Sequence, residues 1–213
     1  MTLNVQKLLS ISSLKISEII PQIDESTKNK LGSLGDEYHN LLALKNGFYA
    51  FESALHFFPA TNINQSILDV NYWNSEDLWM NKYSDSISDY LFFAEDIFGG
   101  QFCIFNERIH TFDPETEETE EIATSFDDWA KCVLDEYNYL TGFKLAHEWQ
   151  LKNGCIPVGK RLLPKVPFVL GGKFTIDNLY LLDSVTGMKV RGDLAQQIKN
   201  SPDGTKVTFK IVK

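Results

Sequence analysis

The chain has 213 residues, enough for one large domain or two small ones, and its 43% hydrophobic and 13% aromatic content excludes a disordered acidic tail. Its charge is divided: residues 1–150 hold 25 acidic against 9 basic side chains, a net of −16, and residues 151–213 hold 4 against 11, a net of +7. Summed charge of that size turns nucleic acid, anionic membranes and phosphorylated substrates away from the long N-terminal part and draws in a basic macromolecule. The expected partner is therefore a protein, with no nucleic acid and no membrane.

No apolar run approaches the ~20 residues that span a bilayer. The N-terminus has one Lys before its apolar stretch and lacks the small-residue cleavage site of a secretory leader. Cys103, Cys132 and Cys155 are widely spaced with no C-x-x-C pair, and read as free thiols in a reducing compartment. A cytoplasmic location is expected, and the formal glycosylation acceptor Asn64-Gln65-Ser66 then carries no weight.

In chain order, Asp36 to Lys45 predicts a short helix with Tyr38, Leu41, Leu42 and Leu44 as its apolar face and Asn46-Gly47 as its stop. Phe48 to Phe58 reads as an extended aromatic segment ending at Pro59. Asn74-Ser75-Glu76-Asp77 looks like a helix start with acids in its first turn, and Trp73, Leu78, Trp79 and Tyr83 form the packed side. The clearest β signal follows: Tyr90 to Ala94, Gln101 to Phe105 and Arg108 to Phe112, separated by turns too tight for anything but antiparallel pairing, with Glu120 to Ala123 as a further strand. Ser125 is the expected N-cap of the most secure helix, in which Phe126, Trp129, Ala130, Val133, Leu134, Tyr137 and Leu140 recur at helical spacing, continuing to Gln150. The remainder predicts strands at 167–170, 178–183 and 206–212, a helix near 192–199 and a turn at Pro202-Asp203-Gly204. Strands in one block with helices outside it specify an α+β fold, a central antiparallel meander with flanking helices.

Catalytic and metal motifs fail on inspection. The acids from Asp113 onward alternate like a calcium loop, but Glu118 and Thr124 stand where Gly and a bidentate Glu are required. Gly172-Lys173 is followed by Phe174 where a phosphate loop needs Ser or Thr, and His147-Glu148 has Leu151 where a zinc protease has its second His. Cys103 and His110 could face each other across adjacent strands, yet Cys103 alternates with aromatics as a core residue does. The expectation is no enzyme, no cofactor, no metal and no catalytic residue.

Three segments carry a family resemblance. Leu34-Gly35-Asp36-Glu37-Tyr38-His39-Asn40-Leu41-Leu42 leads to Asn46-Gly47; Phe93-Ala94-Glu95-Asp96 leads to Gly99-Gly100-Gln101-Phe102; and Ile122-Ala123-Thr124-Ser125-Phe126 leads to Trp129. On these the chain resembles the SUKH superfamily, which joins fungal cell-wall-assembly regulators to bacterial immunity proteins. The likeness covers about residues 30–150. In addition, Pro167-Phe168-Val169-Leu170-Gly171-Gly172, Asn178-Leu179 and Pro202-Asp203-Gly204 resemble a C-terminal extension of some bacterial members. The resemblance implies a SUKH-like fold, and for a bacterial member a non-catalytic immunity protein that neutralises a cognate toxin, often a nuclease. The alternative it implies is a regulator or scaffold that binds endogenous partners.

Two parts follow: an acidic SUKH-like core at residues 1–151, and a basic extension at 152–213 packed on it as one domain. The candidate partner-binding residues are the six acids that crowd one hairpin end, Asp113, Glu115, Glu117, Glu118, Glu120 and Glu121, with Trp73 as an interface anchor because its sequence neighbours are polar. Basic nuclease toxins owe much of their substrate affinity to phosphate contacts, so clustered carboxylates are suited to occupying the same groups.

Overall fold

The computed structural model describes residues 2–61 and 68–202. The tripeptide 64–66, the expected strand 206–212 and residues 203–204 of the expected turn lie outside the described residues.

Six strands lie side by side in chain order and all pair antiparallel: β1 (Phe48–Ala50), β2 (Leu55–Phe57), β3 (Leu91–Asp96), β4 (Gln101–Phe105), β5 (Arg108–Phe112) and β6 (Thr119–Ala123). Asn106 and Glu107 both take left-handed backbone, φ +48° and +60°. That is the two-residue turn whose twist matches the flanking strands. The aromatic run expected as one extended segment is instead the β1–β2 hairpin, because Phe51, Glu52 and Ser53 are all left-handed and reverse the chain.

Helices cover both faces of the sheet. On one face lie α3 (Gly35–Leu44), α5 (Phe126–Asp135) and, outside them, α1 (Leu3–Ile11). Tyr38, Phe57, Phe93, Phe126 and Trp129 meet there, with Trp129 5.3 Å from Phe93 and 5.8 Å from Phe102 between ring centroids. On the other face lie α4 (Val70–Trp73), the helical turns of residues 80–82 and 85–89, and α8 (Ser184–Lys199). Phe92, next in sequence to Phe93, points this way onto Trp79 and Phe112, as successive strand side chains must. Two covered faces explain why β3 and β4 read as nearly continuous apolar runs.

The helix starts are side-chain driven. Ser125 Oγ accepts from Asp128 N at the head of α5, and the Asp127 carboxylate accepts from Asn4 N and Val5 N at the head of α1. The helix expected to begin at Asn74 is displaced: α4 ends at Trp73, and the Asn74 amide is used by β3, accepting from Phe92 N and donating to Phe92 O, both at 2.8 Å. The long helix expected after Ser125 is three: α5, α6 (Tyr137–Thr141) and α7 (Phe143–Asn153). It breaks at Gly142, φ +69°, where any Cβ would come within 2.4 Å of the Phe98 ring.

The C-terminal part packs against the rest. β7 (Lys160–Pro164) and β8 (Leu179–Asp183) form a separate antiparallel pair. Leu162 and Leu179 join Ala54, Ile97, Ala146 and Trp149 in a second apolar cluster, while Met188 and Ala195 of α8 enter the main core. Residues 168–170, expected extended, form a helical turn; β7 and α2 (Glu25–Leu31) were not expected, and α8 starts well before residue 192. Among the described residues no helix is long and apolar enough to cross a membrane.

Trp129 is fully buried at the centre of four aromatic rings, Phe57, Phe93, Phe102 and Phe126. Trp129→Ala is expected to destabilise the fold by ~3–5 kcal/mol through lost burial and cavity formation. Urea melts check this, and a loss below ~1 kcal/mol is incompatible with the packing described.

Candidate partner-binding surface

The β5–β6 hairpin end divides the six acids into two groups. Asp113 organises the turn: its carboxylate accepts from Glu115 N, its carbonyl accepts from Glu117 N, and its N–H donates to Glu118 O at 2.9 Å. Glu115 turns inward and is buried, its Oε2 accepting from Val169 N at 2.9 Å. Burial pushes its pKa up, the Val169 N–H and Arg191 opposing. Glu117, held at φ +64°, accepts from Ser84 Oγ and Gln196 Nε2, with Lys199 Nζ 3.9 Å away. These two carboxylates anchor the C-terminal part and do not offer a free surface, which corrects their sequence assignment. Asp113, Glu118, Glu120 and Glu121 are exposed, Glu121 standing 3.7 Å from Arg108.

Trp73 is likewise not a surface anchor. It is 0% exposed, stacks on Phe58 at 4.8 Å, and donates from Nε1 to Gln101 Oε1 at 2.9 Å. Its polar sequence neighbours serve distant elements, Asn71 bonding Asp24 N and Gln22 O and Asn74 bonding Phe92, while Phe58 just after β2 and Gln101 of β4 cover the ring.

The exposed acids line one edge of the sheet. At the opposite edge, the segment after α1 pairs with the chain around β1: Ser13 N donates to Tyr49 O, Ile16 N to Gly47 O and Ser17 N to Asn46 O. No backbone group among the described residues pairs with the outer side of β6. Between β6 and α5 runs an open groove of about 370 Å³, lined by the apolar Ile122, Ala123 and Cys132 and the polar Glu121, Thr124, Asp128 and Lys131. Sequence reading found the acids and missed the groove, whose two walls meet only in the fold.

A second charged group sits inside the protein. Glu95 of β3 is 0% exposed, and its Oε1 lies 2.9 Å from Arg161 Nη2 of β7, 3.0 Å from His56 Nδ1 of β2 and 3.3 Å from Ser184 Oγ of α8. Glu95 Oε2 has no hydrogen-bond partner among the described residues, and the Arg161 approach, though close, lacks hydrogen-bond alignment. Arg161 also lies over the Tyr49 ring at 5.7 Å. Burial alone would raise the Glu95 pKa; the Arg161 charge and the His56 and Ser184 hydrogen bonds outweigh it and hold the carboxyl below its usual range. Burial lowers the His56 pKa against the opposing Glu95 hydrogen bond, so the ring is neutral and donates from Nδ1.

Cys103 and His110 do face each other in the β4–β5 register. The thiol is buried, its pKa is pushed far up, and it points to the His110 carbonyl at 3.8 Å, so no nucleophile–base pair forms there. No cluster of metal-ligating side chains occurs among the described residues.

With the geometry described, residues 22–132 match the SMI1 / KNR4 family (SUKH-1). The chain belongs to this family. Its signature segments serve the SUKH fold: Asn46 accepts from Ala60 N and donates to Ile19 O, while Gly47, φ +74°, sits where a Cβ would strike Pro59 at 2.8 Å. Membership places the chain among immunity-type and regulator-type proteins, which are generally non-catalytic. No curated protein matches the chain. The crystal structure of Atu4351 from Agrobacterium tumefaciens is similar, with TM-score 0.60 at 13% identity over 91% of this chain and 89% of that one, a likeness of fold alone.

Two expected outcomes follow from the buried cluster. Arg161→Leu leaves Glu95 uncompensated and should cost ~3–5 kcal/mol, much of which returns when Glu95→Leu is added; denaturant melts of the single and double variants read this directly. Both shifted groups have depressed folded-state pKa values, so the unfolded chain binds more protons as pH falls. The contribution of these two groups should therefore decline first as pH drops below the ordinary His value of 6.5 and again below the Glu value of 4.5, opposed by Asp96 and Glu115, whose pKa values burial raises. Melting temperature against pH measures it, and His56→Gln should remove the upper window alone.

Proposed function

We propose that this SUKH-1 protein acts by binding: an immunity-type protein that neutralises a cognate, basic toxin without catalysis. The observation that supports the reading is the row of exposed carboxylates, Asp113, Glu118, Glu120 and Glu121, along one end and edge of the sheet. The inward acids Glu115 and Glu117 have structural partners that account for them. The exposed row repels itself, and although Asp113 caps the turn and Glu121 stands near Arg108, no ion pair accounts for Glu118 and Glu120. Carboxylates so placed offer a basic nuclease domain the charge it would otherwise meet on nucleic-acid phosphates. Complementary charge of this kind acts mainly by speeding encounter.

The test needs a candidate basic toxin, sought first in the genes that neighbour the one for this chain. Glu118→Gln, Glu120→Gln and Glu121→Gln together should leave the melting temperature unchanged or slightly higher. Association should slow ~10-fold at low salt, and its salt dependence should flatten. An unchanged association rate at low salt moves the toxin surface elsewhere. Capture of several endogenous proteins and no toxin assigns the chain to the regulator type instead.

A further inference from the structure

We infer that the outer edge of β6 is a strand-addition site for an extended basic segment of the partner protein; this rests on the binding reading above and specifies its mode. The first ground is backbone geometry. Asp113 N–H to Glu118 O closes the hairpin, and Phe112 faces Thr119, Thr111 faces Glu120 and His110 faces Glu121. Antiparallel ladders alternate bonded and non-bonded pairs, so Thr119 and Glu121 turn their N–H and C=O groups away from β5. An unpaired row of this kind is a template for another strand, and sheet proteins ordinarily blunt it. Here the β1 side is covered by the chain's own residues 13–17, and the β6 side has no backbone partner among the described residues, with Cys132 Sγ of α5 donating to Ile122 O at 3.4 Å beyond Thr119 and Glu121.

Charge selects the occupant. A second copy of the chain pairing through β6 would set Glu120 and Glu121 against their own counterparts, and like charges directly opposite are destabilising. A strand carrying Lys or Arg meets Glu118, Glu120, Glu121 and Asp128 instead. Lys131, which lines the groove, is already engaged by Asp135 at 2.5 Å, and an incoming cation would share Glu121 with Arg108, 3.7 Å away. The groove beside the edge gives the third ground: Ile122, Ala123 and Cys132 form an apolar floor next to Glu121 and Asp128. A side chain projecting from an added strand toward α5 would enter it. The recognised chemistry is thus an extended segment with an apolar residue between cations, main-chain bonds supplying affinity and the groove supplying selectivity.

The probe is an acetylated, amidated heptapeptide of alternating Lys and Val, added to the full chain while amide hydrogen exchange is followed by NMR. Exchange at Thr119 and Glu121 should slow ~10-fold at a peptide concentration about ten times its Kd, since protection follows 1 + [L]/Kd. The same peptide N-methylated at alternate amides, and a Glu–Val counterpart, should leave both amides unchanged. Equal protection by the N-methylated peptide would reduce the contact to charge alone and overturn strand addition. So would an absence of protection with the Lys–Val peptide at saturation. Slow exchange at Thr119 and Glu121 in the free chain, lost on deleting residues 203–213, would show the edge already covered and also overturn it. If the cognate toxin binds tightly yet leaves the two amides unprotected, the binding reading stands and the edge mode falls.

Discussion

The buried Glu95–Arg161 pair is the constraint on which the arrangement of this protein turns. A carboxylate on the third strand of a sheet covered on both faces has no access to water, and only a neighbouring positive charge makes its ionised form tolerable. That charge arrives from β7, and β2 and α8 add His56 and Ser184 at the same oxygen. Three parts of the chain far apart in sequence are thereby fixed to one atom. Such a pair is poor evidence of net stability, since apolar replacements of both partners are often as stable. What it does is penalise any arrangement in which the C-terminal part sits elsewhere.

The same logic recurs at the periphery in weaker form. Glu115 holds Val169, Glu117 holds Gln196 and approaches Lys199, and Arg191 is buried against the carbonyls of Phe98 and Gly99. Arg161 and Arg191 of the basic C-terminal part are therefore spent inside the molecule, each against groups of the acidic part. The division of charge along the sequence becomes in part an internal seam.

The meander was legible because its signals are local: aromatic and branched runs, a two-residue turn at Asn106-Glu107, and a Ser-x-x-Asp start to α5. Several failures were cases where a distant element overrides a local one. Asn74 has the look of an N-cap, yet the β3 backbone claims its amide. Trp73 has polar neighbours, yet Phe58 and Gln101 bury it. Glu115 and Glu118 are alike in sequence setting, and only the position of Val169 makes one a strut and leaves the other in solvent. The groove behind β6 required the α5 surface to be docked before it existed.

The portion matched by the SUKH-1 family, residues 22–132, ends before Arg161, Met188 and Arg191. During synthesis the sheet can assemble as a ribosome-bound chain, but Glu95 and the face that bears Phe92 and Trp79 must wait for residues that emerge later. Until β7 and α8 dock, the Glu95 carboxylate faces water and keeps its ordinary ionisation, so the C-terminal part closes over a charge that Arg161 must meet. A chain stopped short of Arg161 keeps a wet, charged patch where the complete chain has a dry interior.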